Sequence, residues 1–155
     1  MFPQLNLPAY PFKIKTEGQR TQIFDRFRKK YVALTAEEWV RQHFINYLIA
    51  EKKFPESLIT TETGVKYNTL QKRGDIFVYD DYGKPLLIVE CKSPTVSITQ
   101  KTFDQIAIYN KELKVKCLVI TNGIKHYCCL MDYEKESYQF LEEIPLYSQL
   151  IKASL

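Results

Sequence analysis

The feature of the sequence that most constrains the fold is an apolar run that leads directly into charged residues. Every residue from Leu86 to Val89 is apolar, which is typical of a strand covered on both faces of its sheet. Glu90, Cys91 and Lys92 follow without a turn, and Pro94 ends the segment. Buried charged groups are costly unless they are neutralised. The segment therefore predicts an α/β domain with a functional site at one end of a buried strand.

The segment before this run is predicted to form a hairpin with it, as the first of the two strands. Residues 75–79 are β-type residues, and a turn separates them from the apolar run. If Asp81 lies opposite Lys84, paired positions sum to 165, and Asp75 then lies opposite Glu90. Residues that face each other across an antiparallel pair have Cβ atoms about 5 Å apart. The register thus predicts two neighbouring carboxylates on one face of the sheet.

Such a carboxylate pair favours a bound divalent cation. Facing like charges destabilise a sheet, and a cation between Asp75 and Glu90 would neutralise them. Hard oxygen ligands suit Mg²⁺, for which Mn²⁺ can substitute. Lys92 projects from the same face as Glu90, about 7 Å further along the strand. This trio can catalyse phosphodiester hydrolysis through one or two metal ions, whereas the alternative is a turn aspartate beside a surface ion pair.

The remaining composition excludes several other chemistries. His43 and His126 are far apart in the chain, and no third histidine exists, so a histidine-built metal centre or catalytic triad is not expected. The cysteines form no CxxC pair, which argues against a zinc site or a disulfide framework. We expect all four to be reduced and mostly buried: Cys91, Cys117, Cys128 and Cys129.

Basic residues cluster near the start of the chain, although the net charge is only +4. A cluster of this kind can bind phosphates through counterion release, or it can be a solvated basic face. The residues are Lys13, Lys15, Arg20, Arg26, Arg28, Lys29 and Lys30. Charge alone does not distinguish the two interpretations.

The 155 residues, 45% of them hydrophobic, predict one domain. Residues 1–20 contain three prolines and are predicted to be an extended N-terminal arm, residues 21–147 the domain, and residues 148–155 an unassigned C-terminal tail. No segment of about 18 apolar residues occurs, and the first residues do not resemble a secretory signal. A cytoplasmic location without a membrane partner is the resulting expectation.

Two helices are predicted to flank the strands. Thr35 and Glu38 form a capping box, and the helix continues to about Glu51. Its inward stripe contains Glu37 together with apolar residues at helical spacing: Val40, Phe44, Tyr47 and Leu48. A second helix is predicted from about Thr99 to about Leu113, followed by a strand over residues 115–121 and a hairpin over residues 124–140.

Together these residues resemble a known family of nucleases. Asp75, an apolar strand and then Glu90-Cys91-Lys92 resemble the PD-(D/E)xK signature, with Gly74 where that motif often has proline. The wider text is similar to the N-terminal nuclease domain of type I restriction enzyme R (HsdR) subunits over about residues 20 to 147. The short motif has weak specificity, but its order among other matching stretches is more specific. These stretches are residues 28–35, 37–42, 87–94, 103–110 and 121–123.

The resemblance implies a fold and a fuller set of site residues. It implies a restriction endonuclease-like three-layer fold, with a central mixed β-sheet flanked by helices. Glu37 or Glu38 would approach the metal, and Glu37 is preferred because Glu38 is already explained as the capping-box partner. Gln105 and Tyr109 resemble a Gln-x-x-x-Tyr element that contacts substrate, although an amphipathic packing role is the alternative. The implied metal ligands are Asp75, Glu90 and the backbone carbonyl of Cys91.

The sequence also departs from complete R subunits. Those subunits carry an ATP-driven translocase, yet this chain contains no GxxxxGK[ST] loop. DNA is the expected partner, and restriction–modification subunits or a translocase on another chain are further candidates. The leading hypothesis is a Mg²⁺-dependent DNA endonuclease. The alternatives are a non-catalytic nucleic-acid-binding or assembly module, and an RNA-directed or exonucleolytic enzyme.

Overall fold

A computed structural model describes residues 2–61, 75–109, 111 and 113–152, and in these ranges nine strands and three helices form an α/β fold. The smaller sheet contains β1 (Ile14–Glu17), β2 (Arg20–Asp25) and β3 (Lys30–Ala33). The larger sheet contains β4 (Ile59–Thr61), β5 (Ile76–Tyr79), β6 (Pro85–Cys91), β7 (Cys117–Thr121), β8 (His126–Asp132) and β9 (Ser137–Leu141). The helices are α1 (Ala36–Ala50), α2 (Gln100–Tyr109) and α3 (Tyr147–Lys152), and a short 3-10 turn occupies Glu56–Leu58.

The larger sheet is mixed and runs in chain order from β4 to β9. Only β6 and β7 pair in parallel among its described strands, and α2 makes the crossover between them. A parallel pair requires a long connection of this kind, since a tight turn can join only antiparallel neighbours. The arrangement confirms the predicted α/β class with a central mixed sheet.

Helices cover both faces of the larger sheet. Residues from α1, among them Val40 and Phe44, pack in one hydrophobic cluster with Val89 and Cys91 of β6. On the opposite face, Phe103, Ile106 and Ala107 of α2 pack with alternate strand residues such as Ile88 and Ile120. Because side chains alternate along a strand, β6 is buried on both faces, as its apolar run predicts. The result is the three-layer architecture that was expected.

The hairpin of β5 and β6 has the predicted register, but its turn differs from the predicted turn. Ile76 pairs with Val89, Phe77 with Ile88 and Val78 with Leu87, so each pair sums to 165. The expectation that Asp81 lies opposite Lys84 was wrong. The Asp80 amide donates to the Lys84 carbonyl at 2.9 Å, and a bulge beside Tyr79 restores the register.

The ends of the chain are more ordered than the sequence indicated. Residues 14–17 of the predicted arm form β1, which pairs with β2. Earlier in the arm, Phe12 packs on Trp39 and His43 of α1, with ring centroids 5.7 and 4.8 Å apart. The predicted tail contains most of α3, and its Leu150 is buried. No helix in the described part of the chain is long and apolar enough to span a bilayer.

The start of α1 agrees with its predicted capping residue, whereas α2 ends earlier than predicted. The Thr35 hydroxyl accepts the Glu38 amide at 3.0 Å, which confirms the predicted N-cap of α1. The reciprocal half of the capping box is absent, since the Thr35 amide donates to the Ala33 carbonyl instead. Helix α2 ends at Tyr109, before the expected Leu113. Residues 64–67, whose β-type sequence predicts a further strand, and Gly74 lie outside the described residues.

Candidate active site

Asp75 and Glu90 lie at the ends of neighbouring strands and are both buried, with 9% and 8% of their surfaces exposed. Asp75 immediately precedes β5 and Glu90 is the penultimate residue of β6. In the register that pairs Ile76 with Val89, which is the register predicted, Asp75 and Glu90 are the next residues on the two strands. Glu90 alternates with Val89 and Cys91 and therefore faces the α2 side of the sheet.

Asp75 closes the end of the hairpin with both its backbone and its side chain. Its amide donates to the Val89 carbonyl at 2.8 Å, and its Oδ2 accepts the Cys91 amide at 2.7 Å. In an extended strand, the amide and carbonyl of one residue point to the same neighbouring strand. The Cys91 carbonyl is therefore directed to the Asp75 side of β6, together with the Cys91 amide. Asp75, Glu90 and the Cys91 carbonyl therefore lie at the same end of the β5–β6 pair.

The pKa of the Cys91 thiol depends on burial and on the charged residues around it. Burial raises its pKa well above the ordinary value, and the charges of Asp75, Glu90 and Glu37 raise it further, whereas Arg41 lowers it. The side chain itself packs in the core on the α1 side of the sheet. The first turns of α1 and the two carboxylates are therefore close enough to interact electrostatically through this strand end.

Lys92 follows β6 and is half-buried. Its amide donates to the Thr121 carbonyl at 2.8 Å, so the parallel pairing with β7 continues one residue beyond β6. Strand alternation directs its side chain to the face that Glu90 occupies. A carboxylate and an ammonium group thus extend from the same side of the strand.

The two glutamates of α1 occupy positions opposite to those expected. Glu37 is exposed, whereas Glu38 is buried at 7% exposure, so the assignment of Glu37 to the inward stripe was wrong. Glu38 accepts hydrogen bonds from Arg41 and from Gln42 Nε2, the latter at 2.8 Å. Which glutamate approaches a metal stays a prediction, and the charge of Glu37 does act on the Cys91 thiol.

Sequence reasoning missed a row of buried charges that leads towards the site. Asp25 of β2 pairs with Arg28 at 3.3 Å, and Arg28 lies 3.9 Å from Glu38, which bonds to Arg41. Burial alone would lower the pKa of Arg41, but hydrogen bonding and charge from Glu38, with the charge of Asp75, raise it overall. The i,i+3 spacing of Glu38 and Arg41 was the available signal.

The helix α2 residues that resemble a substrate-contacting element are only partly described. Gln105 is exposed, while the neighbouring Ile106 and Ala107 face the core. The side chain of Tyr109 lies outside the described residues. The predicted roles of Gln105 and Tyr109 stay predictions, and the exposure of Gln105 leaves its amide accessible to a ligand.

The donor set at the strand ends fits a hard cation with an incomplete protein shell. Among the described residues, no group of three or more His, Cys, Asp or Glu side chains is arranged to hold a metal. Asp75, Glu90 and the Cys91 carbonyl would supply only part of a coordination shell. Mg²⁺ is commonly bound by one or two carboxylates, with water and phosphate oxygens in the remaining positions. A softer metal would not select these oxygen donors.

The two histidines form hydrogen bonds within the fold, and the four cysteines are buried in it. His126 bonds to Thr121 and to the Asn6 carbonyl, and His43 bonds to the Trp39 carbonyl. All four cysteines are buried and free, as predicted.

A helix-flanked mixed sheet with acidic residues at neighbouring strand ends defines the class of restriction endonuclease-like proteins. Comparison with family models agrees: the model described as type I restriction enzyme R protein N terminus matches residues 36–145. The match covers more than two thirds of the chain, and the chain belongs to this family. The family comprises nuclease-like domains of the PD-(D/E)xK superfamily. Comparison with curated proteins found no match.

Proposed function

We propose that this chain is a Mg²⁺-dependent endonuclease domain that hydrolyses DNA phosphodiester bonds. The observation that supports the proposal most directly is that Asp75 and Glu90 are both buried at this strand end, where Asp75 accepts the Cys91 amide. Two buried carboxylates at one strand end are unfavourable for stability alone, and a bound cation offsets their repulsion. Family membership supports the same conclusion, because it makes a nuclease-like role the expectation for this fold.

The residues divide the proposed chemistry among them. A bound Mg²⁺ would activate water and neutralise charge on the phosphate. Asp75 and Glu90 hold the cation, with Mn²⁺ as a substitute, and the Cys91 carbonyl completes the protein ligands. Lys92 orients the attacking water or stabilises the charge that develops on the phosphate. Glu37 or Glu38 assists from α1, and Gln105 and Tyr109 contact the substrate.

The partners follow from this proposal. DNA is the expected substrate, and the sequence shows no zinc-finger or recognition-helix pattern that would read bases. Restriction–modification subunits, or a translocase on another chain, would then determine where cutting occurs. A location in the cytoplasm is part of the same proposal, because the proposed partners, DNA and restriction–modification subunits, would be met there.

The test combines metal binding with cleavage by matched variants. Asp75→Asn keeps an oxygen that can accept the Cys91 amide, and Glu90→Gln has nearly the same volume as the native residue. Calorimetric titration with Mg²⁺ and Mn²⁺ and nicking of supercoiled plasmid should both fail in the double variant, with nicking reduced at least about 100-fold. Glu134→Gln, an exposed change in the turn between β8 and β9, is the control.

Two outcomes would contradict the proposal. Metal uptake that persists in the double variant would remove the carboxylate pair from the binding site. DNA binding by the wild type without metal uptake and without nicking would favour the non-catalytic module. Thermal denaturation in EDTA separates lost function from lost folding, since removing facing charges should leave stability unchanged or increase it.

A further inference from the structure

The outer face of the smaller sheet combines cations, aromatic rings and an amide. Continuing the register of β1 and β2, the Lys13 carbonyl accepts the Phe24 amide at 2.9 Å, and Phe24 pairs with Tyr31 of β3. In the next row on the same face, Lys15 pairs with Gln22. We call this surface the basic aromatic face; its residues are Lys13, Lys15, Arg20, Gln22, Phe24 and Tyr31.

The opposite face of this sheet is the one that packs inward. Ile23 alternates with Gln22 and Phe24 and is fully buried, and Asp25 at the end of β2 is fully buried as well. Lys13, Lys15 and Arg20 are exposed, whereas Phe24 and Tyr31 are half-buried. The basic aromatic face is therefore a solvent-facing surface and not part of the core.

The rings and cations of this face contact each other. Phe24 and Tyr31 meet edge to face with centroids 5.3 Å apart. Lys15 Nζ lies 4.3 Å from the Tyr31 centroid, and Lys13 Nζ lies 5.6 Å from the Phe24 centroid. Glu17 lies on the same face, opposite Arg20 in the register, and pairs with Lys15 at 3.7 Å, both side chains of that ion pair being exposed. An exposed pair of this kind is weak and can be exchanged for a phosphate.

This combination has a chemical counterpart in single-stranded nucleic acid. Surfaces that bind single strands pair cations, which follow the phosphates, with rings on which bases stack. The amide of Gln22 can in addition donate to and accept from a base edge. An acidic peptide would match the three cations but would not use the rings, and a duplex keeps its bases stacked internally.

The basic aromatic face is connected to the candidate active site. Asp25, the last residue of β2, pairs with Arg28, which reaches Glu38 in the first turn of α1. Helix α1 in turn packs in one hydrophobic cluster with Val89 and Cys91 of β6, on either side of Glu90 in the chain. A strand bound on this face would thus lie on the sheet that these contacts join to α1.

We propose that the basic aromatic face binds a single-stranded segment of nucleic acid, such as a strand freed next to the site of cutting. Tyr31 and Phe24 provide stacking contacts, and Lys13, Lys15 and Arg20 bind phosphates. The inference deepens the proposed nuclease function and rests on nucleic acid being the substrate. It concerns binding alone and involves no chemical step.

The experiment measures binding of the full chain by fluorescence anisotropy in EDTA, where cutting cannot occur. The probes are a labelled 12-nucleotide dT strand, a 12-nucleotide abasic strand with the same phosphates, and a 12-base-pair duplex. We expect the dT strand to bind at least about tenfold more tightly than the other two. Equal binding of the dT and abasic strands would overturn the stacking role, and stronger binding of the duplex would overturn the preference for a single strand.

Matched variants locate the binding surface. Tyr31→Leu should weaken dT binding about tenfold, whereas Tyr82→Leu, at a side chain that is 89% exposed in the β5–β6 turn, should not. Tyr31→Phe retains the ring and should bind as the wild type does, and an unchanged thermal unfolding transition of Tyr31→Leu excludes loss of folding as the cause. Lys15→Gln should reduce the slope of binding against salt by about one, and Lys135→Gln should leave it unchanged.

The two proposals fail separately. A chain that binds the dT strand as described but does not nick plasmid would refute hydrolysis and leave the basic aromatic face intact. A chain that nicks plasmid, but whose dT binding is unchanged by Tyr31→Leu and by Lys15→Gln, would refute only the proposed role of the basic aromatic face. Each outcome decides one of the two proposals.

Discussion

At the scale of single residues, Glu38 is the point at which two cations from different parts of the chain meet. Arg28 reaches it from the loop after β2, and Arg41 reaches it from the next turn of α1. Gln42 donates a third contact, so the carboxylate is surrounded by donors. Charges taken out of water are stable only when such partners remain in place. Glu38 therefore joins the smaller sheet to α1 as well as orienting Arg41.

Glu38→Gln should destabilise the protein by about 3 kcal/mol, because it removes the carboxylate that bonds to the buried Arg41, although Arg28 keeps its pairing with Asp25. Equilibrium unfolding in urea measures the change. Glu37→Gln, one residue earlier and exposed, is the matched control and should cost less than about 1 kcal/mol. Equal effects of the two variants would show that the buried charge row contributes little to stability.

At the scale of elements, the turn between β7 and β8 shows how one glycine brings three parts of the chain together. Gly123 has a φ of +86°, and its carbonyl accepts the Asn6 amide of the N-terminal arm at 2.7 Å. A Cβ atom at this position would lie 2.7 Å from Leu5 Cδ2 and 3.0 Å from Val40 Cγ2. The arm, α1 and the larger sheet therefore meet at a point that only glycine fits.

Gly123→Ala should cost about 1 kcal/mol more than Gly83→Ala. Gly83 has a similar φ of +80° but nothing within 4 Å of its Cβ position, so it measures backbone strain alone. The additional cost at Gly123 arises because Leu5 and Val40 must move. Urea unfolding of both variants gives the difference. A difference near zero would mean that the arm repacks freely around the turn.

At the scale of the whole molecule, local signals predicted the elements, and long-range contacts determined the rest. The strict period of two along a strand was enough to predict the register that pairs Ile76 with Val89, even though the turn between their strands was assigned incorrectly. The N-cap at Thr35 was equally local. Such features depend on residues only a few positions apart, and the sequence displays them directly.

The incorrect assignment of Glu37 had a different origin. The helical stripe identifies the side of α1 that faces the larger sheet, but the arm and the smaller sheet cover other parts of this helix. Phe12 packs on Trp39, and Arg28 pairs with Glu38, so burial extends beyond the stripe. No periodicity within α1 contains that information. The short helix α3 was missed for a similar reason, since its Leu150 is fixed by the core rather than by local pattern.

Two histidines and the buried thiols determine how the stability of the whole molecule should depend on pH. Burial lowers the pKa of His43 and of His126 below the ordinary value of 6.5. His126 Nε2 faces the Asn6 carbonyl at 2.9 Å and must donate, so Nδ1 accepts from the Thr121 hydroxyl at 2.6 Å. The neutral ring thereby connects the arm to the larger sheet. Burial also raises the pKa of Cys91 well above its ordinary value of 9.0.

The free energy of unfolding should accordingly be greatest between about pH 6.5 and 9 and should fall on either side. Below pH 6.5 the unfolded histidines take up protons before the folded ones do, so stability is lost by up to about 1.4 kcal/mol per pH unit for each histidine. Above pH 9 the unfolded thiols ionise first, which again favours the unfolded chain. Urea unfolding at intervals from pH 5.5 to 10 measures both slopes.

In a His43→Gln/His126→Gln variant the acidic slope between pH 6.5 and 5.5 should largely disappear while the alkaline slope remains. An acidic slope that survives in this variant would assign it to other groups and refute the role of the buried histidines.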